Sequence, residues 1–200
     1  GILMHGLVNR ALQRFAEDTH GLAIWSEVAE AAQPGLTGFE AMLTYDDTLT
    51  EAVLLALSDR IGSPRDMILE DLGTYLVSHP NTQALRRLLR FGGDGFTEFL
   101  YSLDDLPDRV RLAVPDLILP PLDLTEHAPG QFTLATGPGM PGLGYVLVGL
   151  LRAMADDYGA LAMVELLTDG DQGCRIAVSV AEVEFAEGRD FDLAPLRVVG

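Results

Sequence analysis

Apolar residues near the start of the chain recur at three- and four-residue spacing. Leu7, Val8, Ala11, Leu12 and Phe15 fall on one face, which predicts a helix over 6–18. A second helix is expected after Gly21, through Leu22, Ile24, Trp25 and Val28, ending near Pro34-Gly35. Tyr45-Asp46-Asp47-Thr48 reads as a turn into a third, with Thr48 or Asp47 as N-cap. Ser63-Pro64 opens a fourth, serine as cap and proline at the first helical position. A short basic helix over 81–90 closes at Gly92-Gly93, and Asp94 caps the next. A further short helix runs from Leu106 to Val114 and is stopped by Pro115.

The second half changes character. Strands are expected over 118–124 and 131–136, joined by a loop containing His127. A Gly/Pro loop over 137–144 leads into an apolar helix from about Leu143 to Tyr158. Two more strands, 161–167 and 175–185, flank an Asp- and Gly-rich turn. Helices first, then a small antiparallel sheet with one late helix, define an α+β fold.

Within this order sit several short matches: Met4-His5-Gly6-Leu7-Val8-Asn9-Arg10-Ala11-Leu12, Gly21-Leu22-Ala23-Ile24-Trp25, Tyr45-Asp46-Asp47, and Phe99-Leu100 followed by Leu103-Asp104 and Leu106. Pro115, Pro120, Gly142-Leu143 and the Cys174 strand complete the set. Taken in order, they resemble the haem-nitric oxide/oxygen binding (H-NOX) family, the sensor module of soluble guanylate cyclase and of bacterial gas sensors. The resemblance implies one domain over 4–185, a C-terminal tail over 186–200, and residues 1–3 as a leader left by cloning ahead of Met4.

The resemblance also implies a cofactor, haem b, held by a histidine on the helix before those prolines. Counting back from Pro115, and forward from Leu103-Asp104-Asp105-Leu106, puts that position at Arg109. A guanidinium has no lone pair to offer iron. The family clamps the haem propionates with a Tyr-x-Ser-x-Arg motif before Gly-Leu; counting back from Gly142-Leu143, those positions hold Thr136, Pro138 and Met140. The charge-assisted contact to a carboxylate is lost with them. The expectation is therefore no haem, with Arg109 turned to solvent or paired with Asp105 or Asp108. Non-standard ligation by His5, His20, His79, His127, Met140 or Cys174 is the alternative.

Loss of haem has a physical consequence. At ~24 cal/mol per Å³, even a void of ~300 Å³ would cost about 7 kcal/mol, comparable to a domain's whole stability. Either side chains such as Tyr145, Val146, Leu147, Leu150 and Leu151 collapse the pocket, or another apolar molecule fills it.

Composition narrows the partners. Thirty acidic residues face 13 basic ones, for a net charge of −17, and every basic residue is arginine, a bias that fits a GC-rich bacterial genome. Such a surface disfavours nucleic acid and anionic membranes. No run is long enough for a membrane span and the apolar start lacks a basic signal region, so a cytoplasmic setting is expected. Cys174, the single cysteine, excludes an intrachain disulfide.

The loop 137–142 lacks the Lys-Ser/Thr ending of a phosphate loop. Arg86, Arg87 and Arg90 form the one dense basic cluster, a solvated face or a docking patch. Adjacent pairs such as Asp46-Asp47, Asp104-Asp105 and Asp156-Asp157 do not face each other on a helix. No catalytic motif stands out, which points away from an enzyme and toward a stand-alone sensor or regulatory domain. Its expected partner is a separate histidine kinase or cyclic-dinucleotide enzyme. A haem sensor with a non-standard ligand, or a carrier of another hydrophobic small molecule, are the competing readings.

Overall fold

A computed structural model gives the architecture of residues 3–181. A short strand, β1 (Leu3–His5), runs into α1 (Gly6–His20), and α2 (Leu22–Ala32) starts after the single residue Gly21, whose φ of 98° suits glycine. β2 (Thr44–Asp46) pairs antiparallel with β1, and α3 (Asp47–Ile61) and α4 (Arg65–Ser78) complete a helical half. Next come a 3₁₀ turn (Pro80–Thr82), α5 (Gln83–Arg90), α6 (Phe96–Tyr101), a second 3₁₀ turn (Ser102–Asp105) and α7 (Leu106–Ala113). The remaining elements are β3 (Leu122–Ala128), β4 (Gln131–Thr136), α8 (Leu143–Tyr158), β5 (Ala162–Gly170) and β6 (Gly173–Val180). The later strands form one antiparallel sheet in the order β3-β4-β6-β5. The architecture is α+β, as the hydrophobic pattern implied.

Several boundaries move, each for a local reason. Asp46, not Asp47 or Thr48, caps α3: its carboxylate accepts from the Thr48 amide at 3.0 Å and the Thr48 hydroxyl at 2.8 Å. Its carboxyl is held below the usual range chiefly by that amide. Pro64 is itself the N-cap of α4, with no side-chain cap, and Gly95 rather than Asp94 precedes α6. His127 lies inside β3, which starts later than expected and turns at Gly130. Pro120 and Pro121 delay that start, because proline lacks the amide a ladder needs. β1 and β2 have only three residues each, too short to show an alternating pattern. The end of the 175–185 strand and the 186–200 tail lie outside the described residues.

The buried side chains form two clusters. One, around Phe15, Trp25, Leu57 and Ile68, belongs to the first four helices. The other, around Phe99, Leu134, Leu151 and Ile176, joins the sheet to α6, α7 and α8. Helices α4 and α8 bridge them. They cross so tightly that a Cβ on Gly73 would run into the Val146 carbonyl, and one on Gly149 into the Glu70 carbonyl. Backbone is what the added methyl would meet, so no side chain can turn away to make room.

Gly73→Ala and Gly149→Ala should therefore each destabilise the fold by about 1–3 kcal/mol, lowering Tm by roughly 3–10 °C. Gly170→Ala, where a Cβ meets nothing within 4 Å, should change stability by less than about 0.5 kcal/mol. Thermal unfolding of the three variants checks this, and equal Tm values would refute the close crossing.

Candidate functional site

Between the two clusters the packing leaves a cavity of about 280 Å³, near the lower end of the ~300–1,000 Å³ typical of ligand sites. Its wall is overwhelmingly aliphatic. Leu12 of α1, Leu72 of α4, Leu106 and Val110 of α7, and Leu147 and Leu150 of α8 all meet there. The late apolar helix thus supplies part of the wall without closing the space.

The polar part of the lining comes from α3. Asp47, Thr50 and Glu51 line the cavity together with Leu54, because positions three and four apart share a helix face. Thr50 is buried and donates to Asn9 Oδ1 at 2.6 Å. Asn9 is fully buried, and its Nδ2 has no partner. Glu51 accepts two bonds from Arg65, at 2.9 and 2.7 Å, and Arg65 also lies 3.7 Å from Asp66. The Glu51 side chain is 45% exposed, so this end of the cavity faces solvent. In the sequence Asp47 reads as a cap and Thr50 and Glu51 carry no motif; the signal is an acid, a hydroxyl and an acid at helical spacing ahead of Leu54.

Of the four positions singled out in the sequence, only Met140 lines the cavity. Thr136 is buried in β4, where its hydroxyl accepts from the Cys174 amide at 3.1 Å and points at the Cys174 sulfur at 3.3 Å. Pro138 is exposed in the loop before α8. Arg109 corrects an expectation. It neither pairs with Asp105 or Asp108 nor gives all its nitrogens to water: Nε and Nη2 are buried without a hydrogen-bond partner among the described residues. Asp108 pairs with Arg111 instead, at 2.6 Å. On α7 the side chains that reach the cavity are Leu106 and Val110, on either side of position 109.

The four histidines all sit elsewhere. His5 Nδ1 accepts from the Leu7 amide and caps α1, and His79 Nδ1 accepts from the Asn81 amide, each at 3.1 Å. His20 stands edge-on to Phe15, and His127 bonds the Thr133 hydroxyl at 2.8 Å. Cys174 is 3% exposed in the sheet core, and burial pushes its thiol pKa up. It is a packing residue, as expected of a lone buried thiol.

Whether haem suits this cavity is decided by donor chemistry. Among the described residues no histidine, cysteine or tyrosine lines it, and the soft donors are the sulfurs of Met4 and Met140. No arginine lines it either, while two carboxylates do. Histidine-ligated haem with two propionates does not fit that set. Among the described residues no three His, Cys, Asp or Glu side chains converge as a metal site, and no helix is long and apolar enough to cross a membrane.

A helical half joined across an apolar cavity to a late helix and a four-stranded sheet is the fold of H-NOX proteins. The structure superposes on an Fe(II) unliganded H-NOX protein from K. algicida with a TM-score of 0.75 at 17% identity, covering 90% of this chain and 97% of the other. An S. oneidensis H-NOX protein in the Fe(II)NO state gives a TM-score of 0.71 at 19% identity over 90% and 100% of the two chains. The Haem-NO-binding family model matches residues 5–166, and the chain belongs to that family. Soluble guanylate cyclase 89Db of Drosophila melanogaster is 22% identical over 160 residues, 80% of this chain but 24% of the cyclase. Soluble guanylate cyclase gcy-31 of Caenorhabditis elegans is 27% identical over 124 residues, 62% of this chain and 18% of its own. The chain thus spans about a quarter or less of the length of these cyclases.

Away from the cavity, the basic cluster has an internal job. Arg86 grips Asp157 at 2.6 Å, Arg90 joins it at 2.5 Å, and the Arg90 guanidinium lies 4.1 Å above the Tyr158 ring. Only Arg87 of the three is exposed. Burial pushes the Asp157 carboxyl up, but hydrogen bonds from Arg86 and Arg90 outweigh this and hold it below the usual range. A depressed folded value stabilises the fold above the unfolded value of about 3.9, and that contribution is lost as pH falls through the folded value.

Asp157→Asn should thus cost about 1–3 kcal/mol at neutral pH. The gap from wild type should close as pH drops below about 3.9. Urea unfolding at both pH values checks the sign; a gap that persists in acid would show that the loss is packing rather than charge.

Proposed function

We propose that the chain is a sensor or regulatory domain of the H-NOX type that is degenerate in its haem ligands. Its cavity takes an apolar small molecule other than histidine-ligated haem, and its output passes through a separate signalling protein. The observation that carries this reading is the cavity wall itself, overwhelmingly aliphatic, with two acids and, among the described residues, no histidine. A wall this apolar leaves water poorly satisfied, which favours an apolar occupant. The losses at Thr136, Pro138 and Met140 support the same reading through the missing propionate clamp.

A partner of the histidine-kinase or cyclic-dinucleotide class, in a bacterial cytoplasm, completes the proposal. A second reading, haem held through sulfur, is favoured by one fact: two thioethers, Met4 and Met140, line the cavity.

Protein expressed with ample haem should show no stoichiometric Soret band. A strong Soret peak that shifts with nitric oxide would overturn the main reading, and its loss in Met140→Ala would establish the second. The converse variant restores donors where the structure places the wall: Val110→His aims an imidazole into the cavity and Met140→Arg returns a guanidinium. Haem titration followed by absorbance should show binding by the double variant and none by wild type. Equal, tight binding by both would refute the claim that ligands, not room, were lost.

A further inference from the structure

We infer that the cavity selects an amphiphile with an aliphatic body and a hydrogen-bond-donating cationic head, of the primary alkylamine class, and rejects carboxylates. The inference rests on the reading above that the cavity is a ligand site, and concerns what that ligand carries at its polar end.

The argument begins with the chemistry of the α3 face. Asp47 and Glu51 are acceptors when ionised. Thr50 spends its hydroxyl proton on Asn9 Oδ1, so what it has left for the cavity is lone pairs. All three polar lining side chains of α3 are acceptors, Glu51 with both oxygens already accepting from Arg65, so a complementary ligand must bring donors, chiefly to Asp47. The Arg65 guanidinium beside the acids is held by Glu51 through two hydrogen bonds and lies close to Asp66. A carboxylate head would face like charge and find that donor already engaged.

Size and field agree. The cavity is nearly twice the ~150 Å³ that accommodates benzene, which suits a chain of about ten carbons. The net charge of −17 draws cations toward the protein from a distance. The local pair decides the preference once the ligand is seated.

The test is a series of equal chain length: decylamine, decanol and decanoate, each below its micellar concentration, titrated by calorimetry. Decylamine should bind at least about tenfold tighter than decanoate at low salt, with decanol between, and the spread should shrink as salt rises. Asp47→Asn combined with Glu51→Gln should collapse the difference between amine and carboxylate to about threefold or less while leaving decanol within about twofold. If the double variant does not fold, Asp47→Asn alone is read the same way, with a smaller shift in the same direction. The surface pair Asp59→Asn and Asp105→Asn, exposed and outside the lining, should leave the order intact. Ala11→Phe, which fills the cavity, should abolish binding of all three.

Decanoate binding as tightly as decylamine would overturn the inference and place the head on Arg65. An equal effect of the surface pair would overturn it in favour of overall charge, and binding that survives Ala11→Phe would place the probes elsewhere. Decanol bound in the cavity without any head-group preference would sink the inference but not the ligand-site reading. Failure of all three probes to bind would sink both.

Discussion

The crossing of α4 and α8 is the constraint on which the rest of the structure depends. At Gly73 and Gly149 the two helices touch through backbone, leaving no space for even a methyl group. Small residues at a crossing let axes approach more closely than the 8–10 Å set by ordinary side chains. α4 belongs to the first cluster and α8 to the second, so this one contact fixes how the two halves meet. The Arg86 and Arg90 grip on Asp157 secures the far end of α8 to α5. That end is thereby tied by charge-assisted bonds, roughly twice as strong as neutral ones.

The cavity follows from that arrangement. Where the backbones are pinned together, the larger residues to either side, Leu69, Leu72 and Leu76 on α4 and Leu147 and Leu150 on α8, stand off from the contact and line the space beside it. Interiors pack at near-crystalline density, so a space of this size persists only where rigid elements hold its walls apart. A pinned crossing is such an element. The fill supplied by α8 was expected to be able to close the pocket; the crossing explains why apolar bulk on α8 does not by itself do so.

How much of this was legible in the sequence depended on whether the deciding interaction was local. The long helices were readable because their apolar spacing and their stops are written within each segment. α8 could be placed from Leu143 to Tyr158 because a run of apolar residues sits between glycines. β1 and β2 were not, since three residues carry no period and their pairing spans about forty positions. His127 was assigned to a loop because the prolines that delay β3 act by removing amides, which hydrophobicity does not record. Arg109 was located by counting along the chain, yet which α7 residues meet the cavity depends on helix rotation, and that favours Leu106 and Val110. The α3 acids were missed for the same reason: exposed-looking Asp and Glu at a helix start read as caps and solvation until α1 and α4 close around them.

The two ends of the cavity make one chemical statement when taken together. At the Met140 position the family resemblance calls for a guanidinium that receives carboxylates, and a thioether stands there instead. On α3, carboxylates line the same space. Removing a cation alone would weaken the hold on an anionic ligand without excluding it. Acids in the wall add repulsion on the proposed reading, because partly buried charges are screened less than surface ones. On the proposed reading the cavity thus has a polarity of its own, opposite to that of a site for a dicarboxylate.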